Sequence, residues 1–220
     1  MFTGIIEAIG EIADIRMIDG DMRVRVRTGE LDLGDVKLGD SIATNGICLT
    51  AVELPGDGFV ADVSKETLAH SRFPDMSVGE KVNLEKAMMP VSRFGGHIVS
   101  GHVDGLGQIV DRHDDARSVR LTIQAPKSLQ RYIAAKGSIT IDGVSLTVNS
   151  VNGADFGLNI VPHTAQETII DSYRQGRWVH LEVDLIARYL ERLMGASDSD
   201  AEPGEGLTMN KLAAAGFMRR

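Results

Sequence analysis

The sequence has little of what several kinds of protein require. Only one of its 220 residues is a cysteine, Cys48, so an intrachain disulfide is impossible and a zinc site built on cysteines is excluded. The formal net charge is -8, and lysine and arginine do not cluster. A nucleic-acid surface needs many cations to neutralise phosphates, so the charge argues against a nucleic-acid partner.

Long apolar runs and nucleotide-binding motifs are also missing. No stretch approaches the roughly 18–20 apolar residues that cross a bilayer. The first residues carry no basic segment ahead of a long apolar run, so we expect no secretory signal. The motifs G-x-G-x-x-G, Walker A and G-x-S-x-G are absent. We therefore expect a cytoplasmic protein that binds no membrane, dinucleotide or nucleoside triphosphate.

What the sequence does contain is a copy of itself, shifted by 97 positions without a gap. Residues 46–50 (GICLT) fall on residues 143–147 (GVSLT), and residues 82–85 (VNLE) fall on residues 179–182 (VHLE). A period near 100 residues is the size of a domain rather than of a solenoid repeat. The chain is therefore predicted to contain two copies of one small fold, and with them two copies of one small-molecule site.

Both copies show the two-residue alternation typical of β-strands. Apolar and polar residues alternate over residues 22–27 and over residues 119–124. Asn45-Gly46 and Asp142-Gly143 are turn signals, because Asn, Asp and Gly tolerate positive φ. The pattern predicts an all-β protein of two barrels or sandwiches, and closure of each sheet would remove its exposed edges. Thr67 and Thr164 are predicted to cap short helical turns.

The end of the chain departs from the repeat. Asp184 is a candidate N-cap and Gly195 a candidate stop for an amphipathic helix. Such a helix has no core of its own, so we predict that it packs on a barrel or on the same helix of other subunits. The residues after this helix are predicted to form a flexible acidic linker and tail. The predicted parts are the two barrels, the helix and the tail, over residues 1–97, 98–184, 185–195 and 196–220.

Small polar residues recur on equivalent strands. Positions i and i+2 of a strand share a face, so Cys48 and Thr50 point the same way, as do Ser145 and Thr147. Such pairs make a shelf for a flat polar ring, although in one copy alone a solvated strand face is the simpler interpretation. Because both copies keep the pattern, the two interpretations are evenly matched.

Two histidines lie beside glycines between the copies. His97 and His102 are five residues apart, but no carboxylate or third histidine stands at a recognisable ligand spacing, so no metal site is predicted. His102 aligns with Ile5 in the first copy. Whatever His102 does is therefore not done twice.

Five motifs in order carry a resemblance to a known family. They are MFTGIIE at residues 1–7, NGICLT at 45–50, KET at 65–67, GGHIVSGH at 95–102 and DGVSLTV at 142–148. Through them the chain resembles the riboflavin synthases over about residues 1–190. The resemblance implies two six-stranded Greek-key β-barrels and a C-terminal helix that gathers three chains into a homotrimer.

The resemblance also implies a reaction. Two molecules of 6,7-dimethyl-8-ribityllumazine exchange a four-carbon unit and give riboflavin and 5-amino-6-ribitylaminouracil, the last step of riboflavin biosynthesis. No metal or organic cofactor is needed. The reactive pair forms where the N-terminal barrel of one chain meets the C-terminal barrel of a neighbour, and lumazine synthase is a candidate partner. The alternative is a non-catalytic lumazine-binding antenna protein, which the Leu-Thr strands kept in both halves disfavour.

Candidate site residues follow from the motifs. We assign His102 to proton transfer and Cys48, Ser41 and Ser145 to nucleophilic or hydroxide-positioning roles, with orientation alone as the alternative. The substrate-binding residues implied in the first barrel are Gly4, Ile5, Ile6, Cys48, Leu49, Thr50, Asp62, Val63, Ser64, Lys65, Glu66 and Thr67. Those implied in the second are Gly101, His102, Val103, Ser145, Leu146, Thr147, Val161, Pro162, His163, Thr164, Ala165 and Gln166. Lys136 and Asp184 match family positions near the interface, and ordinary surface charges are the alternative interpretation for both.

Overall fold

Antiparallel strands form two closed barrels in the computed structural model, which describes residues 1–199 and the side chains as far as Met194. The first barrel consists of β1 (Ala8–Ile18), β2 (Asp21–Arg27), β3 (Ser41–Thr44), β4 (Ile47–Glu53), β5 (Gly58–Val63) and β6 (Lys81–Lys86). The second consists of β7 (Gly105–Asp115), β8 (Ser118–Gln124), β9 (Ser138–Ile141), β10 (Val144–Asn152), β11 (Asp155–Ile160) and β12 (Trp178–Val183).

The two barrels share one topology. The strand order around the first barrel is β1-β2-β5-β4-β3-β6, and the second follows it strand for strand as β7-β8-β11-β10-β9-β12. Each of these two sheets closes on itself, so each of its strands has a neighbour on both sides. The prediction of two six-stranded Greek-key barrels is confirmed.

Each barrel has its own apolar core. In β2, Met22, Val24 and Val26 are buried while the residues between them are not, as the alternation predicts. Fully buried side chains such as Phe59 in the first barrel and Phe156 in the second fill the interiors. Burial of each such side chain stabilises the fold by about 1.5–3 kcal/mol, so the two interiors fix the strand registers.

The barrels touch at two equivalent hairpins. Asn45 and Gly46 have φ values of 48° and 81°, and Asp142 and Gly143 have 45° and 83°. Two central residues with positive φ are the sign pattern of a type I′ turn, so the predicted turns are confirmed. A Cβ atom built on Gly46 would lie 2.7 Å from the Gly143 nitrogen. The two turns therefore pack backbone against backbone.

A buried polar network surrounds these hairpins. Asp142 is fully buried and accepts hydrogen bonds from the Tyr173 hydroxyl at 2.5 Å and from the His180 backbone N–H at 2.8 Å. The His180 Nε2 atom accepts from the Arg72 backbone N–H at 2.8 Å, and Nδ1 lies 3.0 Å from the Asn45 carbonyl oxygen. Nε2 is therefore the acceptor of the ring, and Nδ1 is its donor.

Titration of this network is set by burial and by its hydrogen bonds. Burial acts to raise the pKa of Asp142, but the hydrogen bonds from His180 and Tyr173 outweigh it and hold that pKa below its usual range. Burial, together with the neighbouring Asp142 carboxylate, raises the pKa of Tyr173 well above its usual value. Asp142 is thus held as a carboxylate and Tyr173 as a neutral donor.

Short helices follow the fifth strand of each barrel. They are α1 (Lys65–Ala69) and α2 (Pro162–Gln166). The prediction that Thr67 and Thr164 cap them is wrong, because both lie inside the helices. Ser64 caps α1 and accepts the Thr67 backbone N–H at 3.3 Å, whereas α2 opens with Pro162, whose fixed φ suits the first helical position.

The C-terminal helix, α3 (Leu185–Ser199), begins directly after Asp184. It includes Gly195, where we expected it to end, and takes in residues 196–199 of the predicted linker. The rest of the predicted linker and tail, residues 200–220, lies outside the described residues. Within residues 1–199, no helix is both long and apolar enough to cross a membrane.

Candidate active site

A cavity of about 310 Å³ opens beside the start of β4 in the first barrel. This volume is at the lower end of the range of small-molecule pockets, roughly 300–1,000 Å³. Its walls come from β4, from α1 and the turn after it, and from the start of the second repeat. The lining residues are Ile47, Cys48, Glu66, Thr67, His70, Ser71, Gly101, His102 and Val103. Cys48 and His102, two of the predicted catalytic residues, therefore lie around one cavity.

The second repeat completes this first site. The Cys48 backbone N–H donates to the Gly101 carbonyl oxygen at 2.9 Å. Gly101 has a φ of 80°, and a Cβ atom built on it would lie 2.7 Å from the Cys48 Cβ atom. Both the conformation and the close approach require glycine here. The segment from Gly101 to Val103 thereby forms one wall of a cavity in the other barrel.

The first repeat makes the equivalent contact with the second barrel. The Ser145 backbone N–H donates to the Gly4 carbonyl oxygen at 2.8 Å, and Gly4 has a φ of 77°. Shifting the walls of the first cavity by 97 residues therefore gives the corresponding positions around Ser145. These are Val144, Ser145, His163, Thr164, Glu167 and Thr168 from the second barrel, with Gly4, Ile5 and Ile6 from the start of the chain.

The grouping of site residues by repeat is therefore wrong. We expected Gly4, Ile5 and Ile6 beside Cys48, and residues 101–103 beside Ser145. The two segments instead pair with each other, with Phe2 N–H donating to the Val99 carbonyl at 2.8 Å and Val99 N–H to the Phe2 carbonyl at 3.1 Å. This pairing carries each segment across to the opposite barrel.

The polar strand faces are built as the alternation predicts. Ser41 lies opposite Thr50 in the β3–β4 ladder, and Thr50 shares its face with Cys48, while Leu49 is buried. The second barrel repeats this with Ser145 and Thr147, although Leu146 is only half-buried. Ser138 lies opposite Thr147 and was missed by sequence reasoning; its signal was the repeat itself, which places Ser138 on Ser41.

Several predicted residues of the first site have other contacts. The Asp62 carboxylate pairs with the Arg23 guanidinium at 2.7 Å, and this hydrogen bond holds the pKa of Asp62 below its usual range. Val63 is part of the barrel core. The Lys65 side chain lies against Gly20 in the first hairpin. None of these three borders the cavity beside Cys48.

The predicted residues of the second site also lie in different places. Val161 precedes α2, and Pro162, His163 and Thr164 form its first turn. Ala165 and Gln166 instead border a separate cleft of about 600 Å³, together with residues of the first barrel. The exposed Lys136 adopts a φ of 68° and donates its backbone N–H to the Val148 carbonyl oxygen at 2.7 Å.

A histidine that sequence reasoning left without a role touches Ser145. The His97 Nδ1 atom lies 2.7 Å from the Ser145 hydroxyl oxygen, and the His97 side chain is buried. Burial lowers the pKa of His97, which the negative charge of Asp184 partly opposes. The imidazole is therefore neutral at neutral pH and can orient the serine hydroxyl. Its signal was the Gly95-Gly96-His97 motif.

Two buried glutamates, also missed, hold the crossing segments. Glu85 in β6 accepts hydrogen bonds from Thr3 and Gly4, and Glu182 in β12 accepts them from Ser100 and Gly101. Burial raises the pKa of both carboxyls, although these hydrogen bonds oppose the rise. Their sequence signal was the Glu that ends VNLE and VHLE.

Comparisons with known proteins agree with this architecture. A family described as lumazine binding domain matches the chain twice, over residues 3–87 and 100–184. The chain is 50% identical over 218 residues to the riboflavin synthase of Photobacterium phosphoreum, which covers 99% of this chain and 100% of that protein. The chain belongs to the riboflavin synthase family. As a member of that family it is an enzyme, a transferase.

Further riboflavin synthases and solved structures extend the likeness. Riboflavin synthase from Bacillus subtilis is 41% identical over 194 residues, covering 88% of this chain and 90% of that protein. Structures of LumP in complex with 6,7-dimethyl-8-(1'-D-ribityl)lumazine and with riboflavin superpose with TM-scores of 0.75 and 0.77, at 25% and 26% identity. Each covers 83% of this chain and 99% of the LumP chain. The duplicated barrel is thus common to the riboflavin synthase family and LumP.

Proposed function

We propose that the chain converts two molecules of 6,7-dimethyl-8-ribityllumazine into riboflavin and 5-amino-6-ribitylaminouracil by transfer of a four-carbon unit. Membership of the riboflavin synthase family supports the reaction. The structural observation that carries the proposal is that one crossing contact is made twice, by Cys48 with Gly101 beside a cavity and by Ser145 with Gly4 at the equivalent position. A reaction between two copies of one substrate needs two such sites.

The two sites differ where the two substrates must differ in role. The first has Cys48 and His102, and the second has Ser145 and Ile5 at the equivalent positions. One lumazine gives up the four-carbon unit and the other receives it. Binding both in fixed orientations replaces a bimolecular encounter by an oriented reaction, which supplies much of the rate enhancement.

His102 is the proposed group for proton transfer. It is exposed and borders the cavity beside Cys48, where it can reach a bound ring. In the proposed mechanism the acidic 7-methyl group of one lumazine loses its proton, and the resulting carbanion attacks the second lumazine. Cys48 and Ser41 in the first site and Ser145 in the second are the proposed nucleophilic or hydroxide-positioning groups.

The remaining substrate contacts are proposed from the same positions. Ile6 and Val103 are the proposed apolar walls of the second and first sites. Thr67 and Thr164 are the proposed polar groups in the short helices that follow the fifth strands. Lys136 and Asp184 are proposed to act near the interface between subunits. The productive pair is proposed to form between the N-terminal barrel of one chain and the C-terminal barrel of another.

A homotrimer is the proposed assembly. The helix α3 supports this, since its large apolar side chains are exposed in the single chain, namely Ile186, Tyr189, Leu190, Leu193 and Met194. Apolar side chains in such a stripe gain stability when another subunit covers them. Sedimentation with and without lumazine tests the assembly. Lumazine synthase is a proposed partner, because it would supply the substrate, and the cytoplasm is the proposed location.

The decisive experiment is to mix the purified chain with 6,7-dimethyl-8-ribityllumazine and record absorption spectra. We expect the lumazine spectrum to give way to that of riboflavin, with one riboflavin formed for two lumazines consumed. The likeness to LumP makes a lumazine-binding antenna protein the second candidate. An unchanged spectrum with one lumazine bound per chain would establish that candidate instead.

Two single variants test the proposed roles. His102→Gln removes the proton-transfer group, and Cys48→Ser replaces the thiol by the group that the second site carries. If His102 transfers the proton, turnover falls by about 10²–10⁴-fold in His102→Gln, the usual contribution of acid–base catalysis. Near-normal turnover in both variants would show that orientation alone accounts for the reaction.

A further inference from the structure

Three donors converge on each of the two buried glutamates. The Glu85 Oε1 atom accepts from the Thr3 backbone N–H at 2.7 Å and from the Thr3 hydroxyl at 2.8 Å, and Oε2 accepts from the Gly4 N–H at 2.9 Å. The second copy repeats this arrangement. The Glu182 Oε1 atom accepts from the Ser100 N–H at 2.6 Å and the Ser100 hydroxyl at 2.7 Å, and Oε2 accepts from the Gly101 N–H at 3.0 Å.

Each glutamate holds a residue that contacts the opposite barrel. Glu85 belongs to the first barrel and holds the N–H of Gly4, whose carbonyl oxygen accepts from Ser145 in the second barrel. Glu182 belongs to the second barrel and holds the N–H of Gly101, whose carbonyl oxygen accepts from Cys48 in the first. One residue therefore links each carboxylate to the strand that carries the other barrel's site.

The carboxylate is specifically suited to this contact. Both oxygens of a carboxylate only accept hydrogen bonds, so all three donors are satisfied at once. In the amide of Gln, one of the two positions becomes an NH₂ group, which would face a backbone N–H and leave two donors opposed. Glu85 and Glu182 are 5% and 3% exposed, so water cannot replace the lost acceptor.

We propose that Glu85 and Glu182 are positioning residues that act across the barrels, Glu85 on the site at Ser145 and Glu182 on the site at Cys48. The inference rests on the proposed function for its consequence in catalysis. The structural part of the inference is independent of the proposed function: each site depends on the glutamate of the other barrel. Each residue is the matched control for the other, because the two environments are equivalent by the 97-residue shift.

Amide hydrogen exchange in the full chain tests the crossing without any substrate. In Glu182→Gln we expect the Cys48 amide to exchange about tenfold faster, and the Ser145 amide to keep its wild-type rate. In Glu85→Gln we expect the reverse. Because Cys48 is the only cysteine, its alkylation by iodoacetamide is a second measurement, and it should accelerate in Glu182→Gln alone.

Binding of 6,7-dimethyl-8-ribityllumazine reports the consequence for the sites. Fluorescence titration should show one of the two binding events weakened by about tenfold in each variant. The weakened event should be a different one in the two variants, and turnover should fall in both. A purely structural role would lower the urea midpoint and loosen both sites alike.

The outcomes separate the two proposals. Equal acceleration of both amides in both variants, or no acceleration in either, overturns the crossed positioning. Where a Gln variant fails to fold, Thr3→Val and Ser100→Ala each remove one donor and keep the carboxylate, and they should give a smaller effect with the same crossing. If the wild-type chain forms no riboflavin, the proposed function fails, while the exchange and alkylation results still decide the inference.

Discussion

The two barrels make the same contacts with each other through different chemistry. The Asn83 side chain accepts the Ile169 backbone N–H at 2.9 Å and donates to the Asp142 carbonyl at 2.9 Å. At the equivalent position, the His180 ring accepts the Arg72 N–H at 2.8 Å and contacts the Asn45 carbonyl at 3.0 Å. An amide and an imidazole thus present the same acceptor and donor.

The difference lies in where the charge is placed. Asn45 and Asp142 are equivalent, and each accepts a backbone N–H at 2.8 Å, but only Asp142 is an acid, with the Tyr173 hydroxyl as a further donor. The residue equivalent to Tyr173 is Met76, which has no hydroxyl to donate. The two repeats therefore share the geometry of the contact between the barrels, but only the second repeat places a buried charge in it.

The largest effect is expected where the two hairpins touch. Gly46→Ala places a Cβ atom 2.7 Å from the Gly143 nitrogen and strains a φ of 81°, so we expect a loss of about 3–4 kcal/mol in the free energy of unfolding. Gly153→Ala is the control, since it strains a φ of 61° with nothing within 4 Å, and should cost about 1–2 kcal/mol. Urea unfolding measures both. Equal losses would mean that the close contact of the barrels does not matter.

The charged half should respond more than the neutral half. Tyr173→Phe removes a hydrogen bond to a buried carboxylate and should lower the free energy of unfolding by about 2 kcal/mol. Met76→Leu, at the equivalent position, changes no hydrogen bond and should cost less than about 1 kcal/mol. Thermal and urea unfolding of the pair test the difference, and a larger loss in Met76→Leu would contradict it.

The charge also predicts a pH dependence. Because the folded-state pKa of Asp142 lies below its usual value near 3.9, its carboxylate stabilises the fold above that value. This stabilisation is lost as pH falls through the lowered pKa. Asp142→Asn makes the second barrel resemble the first, so its stability deficit should be greatest near pH 7 and shrink in acid. Urea midpoints from pH 7 to pH 2 would reveal a constant deficit if Asp142 did not titrate in this way.

The smallest effect is expected at the paired site residues. Ser145→Ala removes the hydroxyl that contacts His97, and should cost about 1 kcal/mol of folding free energy. Cys48→Ala is the counterpart, and position 194, which corresponds to His97, is a methionine. We expect Cys48→Ala to lower the folding free energy by about 0.5 kcal/mol, because it loses packing and no hydrogen bond. Differential scanning calorimetry of both variants resolves the comparison, and identical shifts would remove the proposed asymmetry.

The sequence predicts the barrels well because their signals are local. Alternation fixes the strand faces, and Asn45-Gly46 and Asp142-Gly143 fix the tight turns. The exchange of segments has no local signal, because the repeat is compatible with Gly4 beside Cys48 and with Gly4 beside Ser145. Only tertiary pairing decides between them.

The wrong prediction of the α1 cap and the two unpredicted glutamates have similar causes. The cap of α1 lies three residues before Thr67, because Ser64 is equally able to accept a backbone N–H and the strand ends there. Glu85 and Glu182 occur in both copies, but each is the last residue but one of its strand, so nothing in the pattern separates a buried acceptor from a solvent-exposed residue at a strand end. Their role follows only from the donors that the crossing segments bring to them.

The crossing of Phe2 and Val99 has a consequence for how the chain is made. During synthesis the first barrel leaves the ribosome before residues 101–103 do, so its cavity lacks a wall until the second repeat has begun to emerge. Likewise, Gly4 near the start of the chain has no partner for its carbonyl oxygen until the strand that carries Ser145 has emerged. Although each barrel has a separate core, neither is finished alone. We therefore expect the two to melt in a single cooperative transition, as one folding unit with two interiors.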